Sequence, residues 1–185
     1  MGRVSPLEIS GVRLVSIKRI EDDRGEFIKI FDPIDDASQD KNIFFSSISI
    51  SRNYNVGTLR GLHFQTPPYS EHKLISCIKG SVFDVFVDLR PNSKTIGNWA
   101  SFELSETSAS SLYLPPGIAH GYQTRALDST LIYGISPGYV ESSTRTLNFA
   151  DPTLAIEWPL SVEILSDKDK LGISLSESLE LFSRD

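Results

Sequence analysis

From residue 27 to residue 136 the chain is a succession of short runs rich in β-branched and aromatic residues, and little in it carries a helical period. The runs fall at 27–31 (FIKIF), 43–51 (IFFSSISIS), 73–80 (KLISCIKG), 81–90 (SVFDVFVDLR), 99–105 (WASFELS), 110–116 (SSLYLPP) and 129–136 (STLIYGIS). Segments dense in Gly, Pro, Asn and Ser separate them, among them RNYNVG, RPNSKTIGN, PPG and SPG. Such a pattern predicts an all-β fold, a β-sandwich or barrel of jelly-roll type, forming one domain over 1–185. CIKGSVFDV predicts a hairpin turning at Lys79-Gly80-Ser81. Helix is expected only within 160–185, where Ser166 suits an N-cap with Asp167 and Asp169 in the first turn.

The run 81–90 has two unlike faces. Phe83, Val85, Val87 and Leu89 make one wholly apolar, whereas Asp84 and Asp88 interrupt Val82 and Phe86 on the other. An acid on an otherwise apolar face fits a cavity wall, and equally an edge strand with solvated acids.

Composition narrows the function. A net charge of −6 disfavours a general binder of nucleic acid or anionic membrane, although a local cluster of cations can still hold an anionic small molecule. Cys77 is the single cysteine, so no internal disulfide forms and no Cys/His zinc spacing exists. The N-terminus MGRVSPLEIS lacks an apolar signal core and no long apolar run is present. The expectation is a soluble, cytoplasmic protein.

Chemistry concentrates around few residues. There are three histidines, His63, His72 and His120. In TLRGLHFQTPP a regular strand sends Arg60 and His63 to opposite faces, but Gly61 permits a bulge that re-aims both into one site. His63 and Gln65 share a face, Lys73 follows on the next strand, and LPPGIAHGY delivers His120 after a turn. A metal reading is weak: PPGIAHG resembles a cupin histidine motif, but His63-Phe64-Gln65 stands where a His-x-His pair is needed, and no placed glutamate completes the set. A proton reading fits the parts better. Imidazole is a base near neutral pH, lysine can stabilise an oxyanion, and a tyrosine can return a proton to carbon. Spacing alone does not separate this from a buried structural histidine and a core tyrosine.

DRG at 23–25, RGLHFQ followed by KL, then GSVFDVFVDLR, LPPGIAHG, LIYGI with Tyr139 beyond it, DPTLAIEWP and LSDKD, occur in order from Asp23 to Asp169. The series resembles the nucleotide-sugar 4-keto epimerases, the dTDP-4-dehydrorhamnose 3,5-epimerase family. The resemblance implies a cupin-type jelly roll with a short helical C-terminal segment, a homodimer, and no metal or cofactor. It implies His63 as the base for C3 and C5 of a 4-keto sugar, and Asp169, not Asp151, as its carboxylate partner. Lys73 is implied at the C4 enolate and Tyr133 as the opposing acid. Arg60 is implied at the diphosphate, with Gln65, His120 and Tyr139 lining the pocket, and Arg24 and Phe27 reaching into the neighbouring subunit's site.

The departures concern recognition. Lys29 stands where the family usually has glutamate, Ser47 and Ser49 replace amides, and Thr144 replaces another glutamate. The substrate expected is a nucleotide-diphosphate-linked 4-keto-6-deoxyhexose, with a non-thymidine base and inversion at one or both centres left open. The competing readings are a 3,4-ketoisomerase, a metal-dependent cupin and a non-catalytic sugar-binding protein.

Overall fold

A computed structural model describes residues 1–32 and 44–183, with Ile43, the first residue of the expected 43–51 run, outside them. Two five-stranded antiparallel sheets face each other. One has the order β1 (Arg13–Ser16), β9 (Ser110–Leu114), β6 (His72–Lys79), β11 (Ser129–Ser136), β4 (Ser47–Asn53). The other runs β12 (Thr144–Thr146), β5 (Leu59–Gln65), β10 (Ile118–Thr124), β7 (Ser81–Asp88), β8 (Trp99–Ser105). A separate hairpin, β2 (Lys18–Asp22) with β3 (Gly25–Lys29), is exposed along most of its length. The expected jelly-roll sandwich is therefore the fold.

Between the sheets lies an apolar cluster that includes Ile75, Val82, Phe86, Leu104, Leu112 and Leu131. Each large apolar side chain so buried contributes about 1.5–3 kcal/mol. A second cluster covers the outer face of the β5–β8 sheet: Phe83, Val85, Val87 and Leu89 pack under Leu154, Leu175 and Phe182 of the C-terminal segment. The two faces of β7 thus have separate partners. Its wholly apolar face lies under the C-terminal cover, and its acid-bearing face looks into the sandwich. The edge-strand alternative fails because β7 is paired on both sides, with β10 and β8, and Asp84 and Asp88 are fully buried.

The expected hairpin at Lys79-Gly80-Ser81 is also not formed. β6 pairs with β11 and β9, whereas β7 belongs to the other sheet, so the chain crosses the sandwich at this corner. Gly80 has φ +71, and a Cβ there would meet Ser129 Oγ at 2.7 Å. A tight turn is required, but both strands already spend their edges on other partners.

The C-terminal helix is two short ones. Ser166 caps α1 (Asp167–Lys170) by accepting from the Asp169 amide. Ser174 then caps α2 (Leu175–Phe182) with a capping box completed by Glu177. Between them Gly172 lies against Asn148, where a Cβ would meet backbone atoms at 2.8 Å. No helix among the described residues is long and apolar enough to cross a membrane.

Candidate active site

At one end of the sandwich the interior turns polar and opens into a cavity of about 470 Å³, within the range of small-molecule sites. One wall, from β5 and β10, carries Arg60, His63, Gln65, His120 and Tyr122; the other, from β4, β6 and β11, carries Ser47, Ser49, Ser51, Lys73 and Tyr133. Ser166, Lys168 and Asp169 close the side near His63.

The bulge expected at Gly61 is present. Against β10, His63 pairs with His120 and Arg60 with Tyr122, so three steps on β5 oppose two on β10. The extra residue brings Arg60 to the same side as His63, and both line the cavity. Gly61, at φ +116, passes so close to β10 that a Cβ would lie 2.6 Å from the Gly121 Cα.

His63 Nε2 lies 2.6 Å from Asp169 Oδ1. A carboxylate there accepts the Nε2 proton and leaves Nδ1 as the basic nitrogen. Burial pushes the Asp169 carboxyl up, but the bond and charge of His63, the Ser166 hydroxyl and the Gly61 amide outweigh it and hold it below its usual value. Asp151, the alternative carboxylate, serves elsewhere: it accepts from the Leu175 amide at 2.8 Å, at the start of α2.

Lys73 Nζ donates to the His63 carbonyl at 2.9 Å and pairs with Glu71 Oε1 at 2.9 Å. The other Glu71 oxygen is buried without a hydrogen-bond partner. His120 faces inward and its Nε2 lies 2.8 Å from Asp84 Oδ2. Here burial dominates, and the Asp84 carboxyl is raised despite the imidazole.

Tyr133 stands on the opposite sheet from His63, its ring edge-on to His120 at 6.1 Å between centroids. Burial chiefly, then the neighbouring Tyr122 and Asp84, push its phenol well above the usual value. Such a phenol stays protonated at neutral pH and can act as an acid.

The remaining expected residues divide. Gln65 lines the cavity, but its amide is engaged with the main chain of Tyr69, Gly138 and Val140, which braces the segment bearing Tyr139. Tyr139 is exposed on the cavity wall. Arg24 and Phe27 are not at this cavity: they sit on the β2–β3 hairpin, where Arg24 pairs with Asp22. Among the described residues no three His, Cys, Asp or Glu side chains converge as a metal site. Cys77 lies in the core with its thiol pushed up to about 11, chiefly by burial. Sequence reasoning missed Glu71, Tyr122 and Ser51. The acid on the mixed face of the 81–90 run is the one available signal for the His120 pair.

A family model described as dTDP-4-dehydrorhamnose 3,5-epimerase matches residues 6–177. A protein of that name from Sinorhizobium fredii is 36% identical over 172 residues, spanning 92% of this chain and 88% of its own. Among solved structures, NovW, a 4-keto-6-deoxy sugar epimerase from the novobiocin biosynthetic gene cluster of Streptomyces spheroides, superposes with TM-score 0.85 at 32% identity, covering 95% of this chain and 88% of that one. The Bacillus anthracis dTDP-4-dehydrorhamnose 3,5-epimerase, solved with TDP and PPi bound, gives 0.83 at 32% identity, covering 89% and 94%. A jelly roll of cupin type, a polar cavity within it and this agreement along nearly the whole chain lead to one conclusion: the chain belongs to the dTDP-4-dehydrorhamnose 3,5-epimerase family.

Proposed function

We propose that the chain inverts C3, C5 or both of a nucleotide-diphosphate-linked 4-keto-6-deoxyhexose. The observation that carries this is an Asp169-backed imidazole and a protonated phenol on opposite walls of one cavity, with an ammonium beside the imidazole's own strand. His63 takes a proton from carbon next to the ketone, Lys73 stabilises the oxyanion that develops at C4, and Tyr133 returns a proton from the other face. The C–H electron pair becomes the enolate and then the new C–H bond, so no redox partner is required. Arg60 on the cavity wall offers the diphosphate a cation within a chain of net charge −6. Ser47, Ser49 and Thr144 line the same cavity, and these short hydroxyl side chains bear on which base is held.

The working unit is proposed to be a homodimer. Ile20 and Phe27 are 61% and 63% exposed on the β2–β3 hairpin, and a two-stranded sheet with bare apolar residues is marginal without a partner. In a dimer this arm would carry Arg24 and Phe27 to the neighbouring cavity.

The test is incubation in D2O with thymidine, uridine, cytidine and guanosine diphosphate 4-keto-6-deoxyhexoses. Deuterium at C3 or C5 with inverted product supports the reading, and no exchange with any of the four overturns it. A product whose ketone has moved to C3 would assign a ketoisomerase instead. Phe27→Ala, expected to shift sedimentation toward the monomer, tests the arm.

A further inference from the structure

Lys73 and Arg60 both line the cavity, but they are held in different ways. Lys73 is paired with a carboxylate, that of Glu71, at 2.9 Å. Arg60 is held by a neutral amide: its Nε donates to Asn53 Oδ1 at 2.7 Å. Asn53 closes β4 opposite Ser129, the first residue of β11, and is buried. Its Nδ2 donates to the Ser129 carbonyl at 3.0 Å, which fixes the amide and turns Oδ1 the other way as an acceptor. That oxygen also takes the Tyr122 hydroxyl at 3.2 Å, so it joins β5 and β10 of one sheet to β4 and β11 of the other. A guanidinium is a rigid fork of five N–H groups, and it can grip an oxyanion through Nε with one Nη or through both Nη. Asn53 occupies Nε. The Nη1 and Nη2 groups have no partner among the described residues, and no carboxylate among them forms an ion pair with Arg60.

We propose that Asn53 is a positioning residue for diphosphate recognition: it fixes the Arg60 guanidinium through Nε while leaving its charge whole and its two Nη groups for the phosphoryl oxygens. This rests on Arg60 being the cation that meets the diphosphate in the reading above. Asn53 acts through Arg60 and not on the ligand itself. The Arg60 side chain is long and its residue exposed, and an arginine left unheld there would lose rotamer freedom on binding and weaken the complex by that amount. An aspartate would hold Nε too, but it would neutralise the cation before any anion arrived. A buried amide, locked from behind by the Ser129 carbonyl, supplies the hold without the charge. Lys73 shows the other arrangement in the same cavity, with its charge already matched by Glu71.

The experiment is calorimetric binding of inorganic pyrophosphate to the full chain, to Asn53→Ala, to Arg60→Ala and to the double variant. Asn53→Ala is expected to weaken binding about ten-fold, the usual worth of a hydrogen bond to a charged group, and Arg60→Ala by more. In the Arg60→Ala background the change at Asn53 is expected to alter affinity by less than about two-fold. An equal loss in both backgrounds overturns the proposal, because it marks an effect passed through the fold, and so does full affinity in Asn53→Ala. With nucleotide sugars, Asn53→Ala is expected to raise KM about ten-fold and leave kcat near its original value. Asn53 is buried, so a second measurement leaves it in place: the Arg60 Nε–H signal in NMR of the free protein, assigned through Arg60→Lys. That proton is expected to exchange with water more slowly than those of the exposed arginines, and exchange as fast as theirs overturns the proposal. No pyrophosphate binding by the unaltered protein, or undiminished binding in Arg60→Ala, removes Arg60 from the diphosphate and the proposal with it. Pyrophosphate carries no sugar, so a protein that binds it as expected but exchanges no deuterium would count against the epimerase reading alone.

Discussion

Two imidazoles on one cavity each have a carboxylate partner, and their differences separate the base proposed for the reaction from a fixed wall. His63 and Asp169 meet at 2.6 Å, His120 and Asp84 at 2.8 Å. The His63 side chain is 39% exposed against 5% for His120. Asp169 is held low because three groups besides solvent favour its anion, whereas Asp84 is raised by burial and its second oxygen has no hydrogen-bond partner. The two carboxylates are thus shifted in opposite directions by their surroundings. One pair is reachable and carries a stable negative charge behind the ring. The other is enclosed and shapes the cavity around Tyr133.

The comparison can be broken most directly at the rings. His63→Asn is expected to lower deuterium exchange and turnover by about 10²- to 10⁴-fold, the usual worth of a general base. His120→Asn is expected to cost less in exchange than His63→Asn; a reversal of that order, measured by NMR of the substrate in D2O, would assign the base to the wrong pair. Asp169→Asn comes next, with turnover expected to fall about 100-fold through loss of the ring's orientation.

The carboxylates also differ in the sign of their pH effect. Asp169 has a lowered folded value, so its stability contribution is present above the ordinary carboxylate range and lost as pH falls through that lowered value. Asp169→Asn should therefore reduce Tm at neutral pH, and the gap should close in acid. Asp84 has a raised folded value, so the protein loses stability as pH rises from the ordinary carboxylate value to the raised one. Asp84→Asn is expected to raise Tm modestly at neutral pH, with the gap closing as pH falls through the ordinary value, and to change turnover by less than about ten-fold. Calorimetry across pH checks both, and gaps of the same sign would erase the distinction.

Much of this arrangement was legible in the chain. The runs 99–105 and 129–136 are β8 and β11 to the residue, because alternating β-branched and aromatic residues end at clear turns. Gly61 announced the bulge for the same reason that it forms: only glycine tolerates that approach to β10. The resemblance selected Asp169 over Asp151, and the His63 contact agrees. Sheet membership was less legible. The Lys79-Gly80-Ser81 turn carries the residues of a hairpin, and what diverts it is the pairing of β6 and β7 with strands far along the chain. Tyr122 and Ser51 were missed because their meeting joins positions 71 apart, and neither has a local pattern that marks it. Glu71 lies just before β6 with no local pattern to mark it, and only its ion pair with Lys73 ties it to the cavity wall.

The carboxylate behind His63 arrives more than a hundred residues after the ring it orients. Every strand of the sandwich is already synthesised when residue 169 is added, so a polypeptide stopped shortly before it lacks both the group that sets its imidazole and the α2 side chains that cover the outer face of β7. Competence is then among the last properties the growing polypeptide acquires. Release of an unfinished copy would leave strands without their apolar cover and an imidazole without its carboxylate.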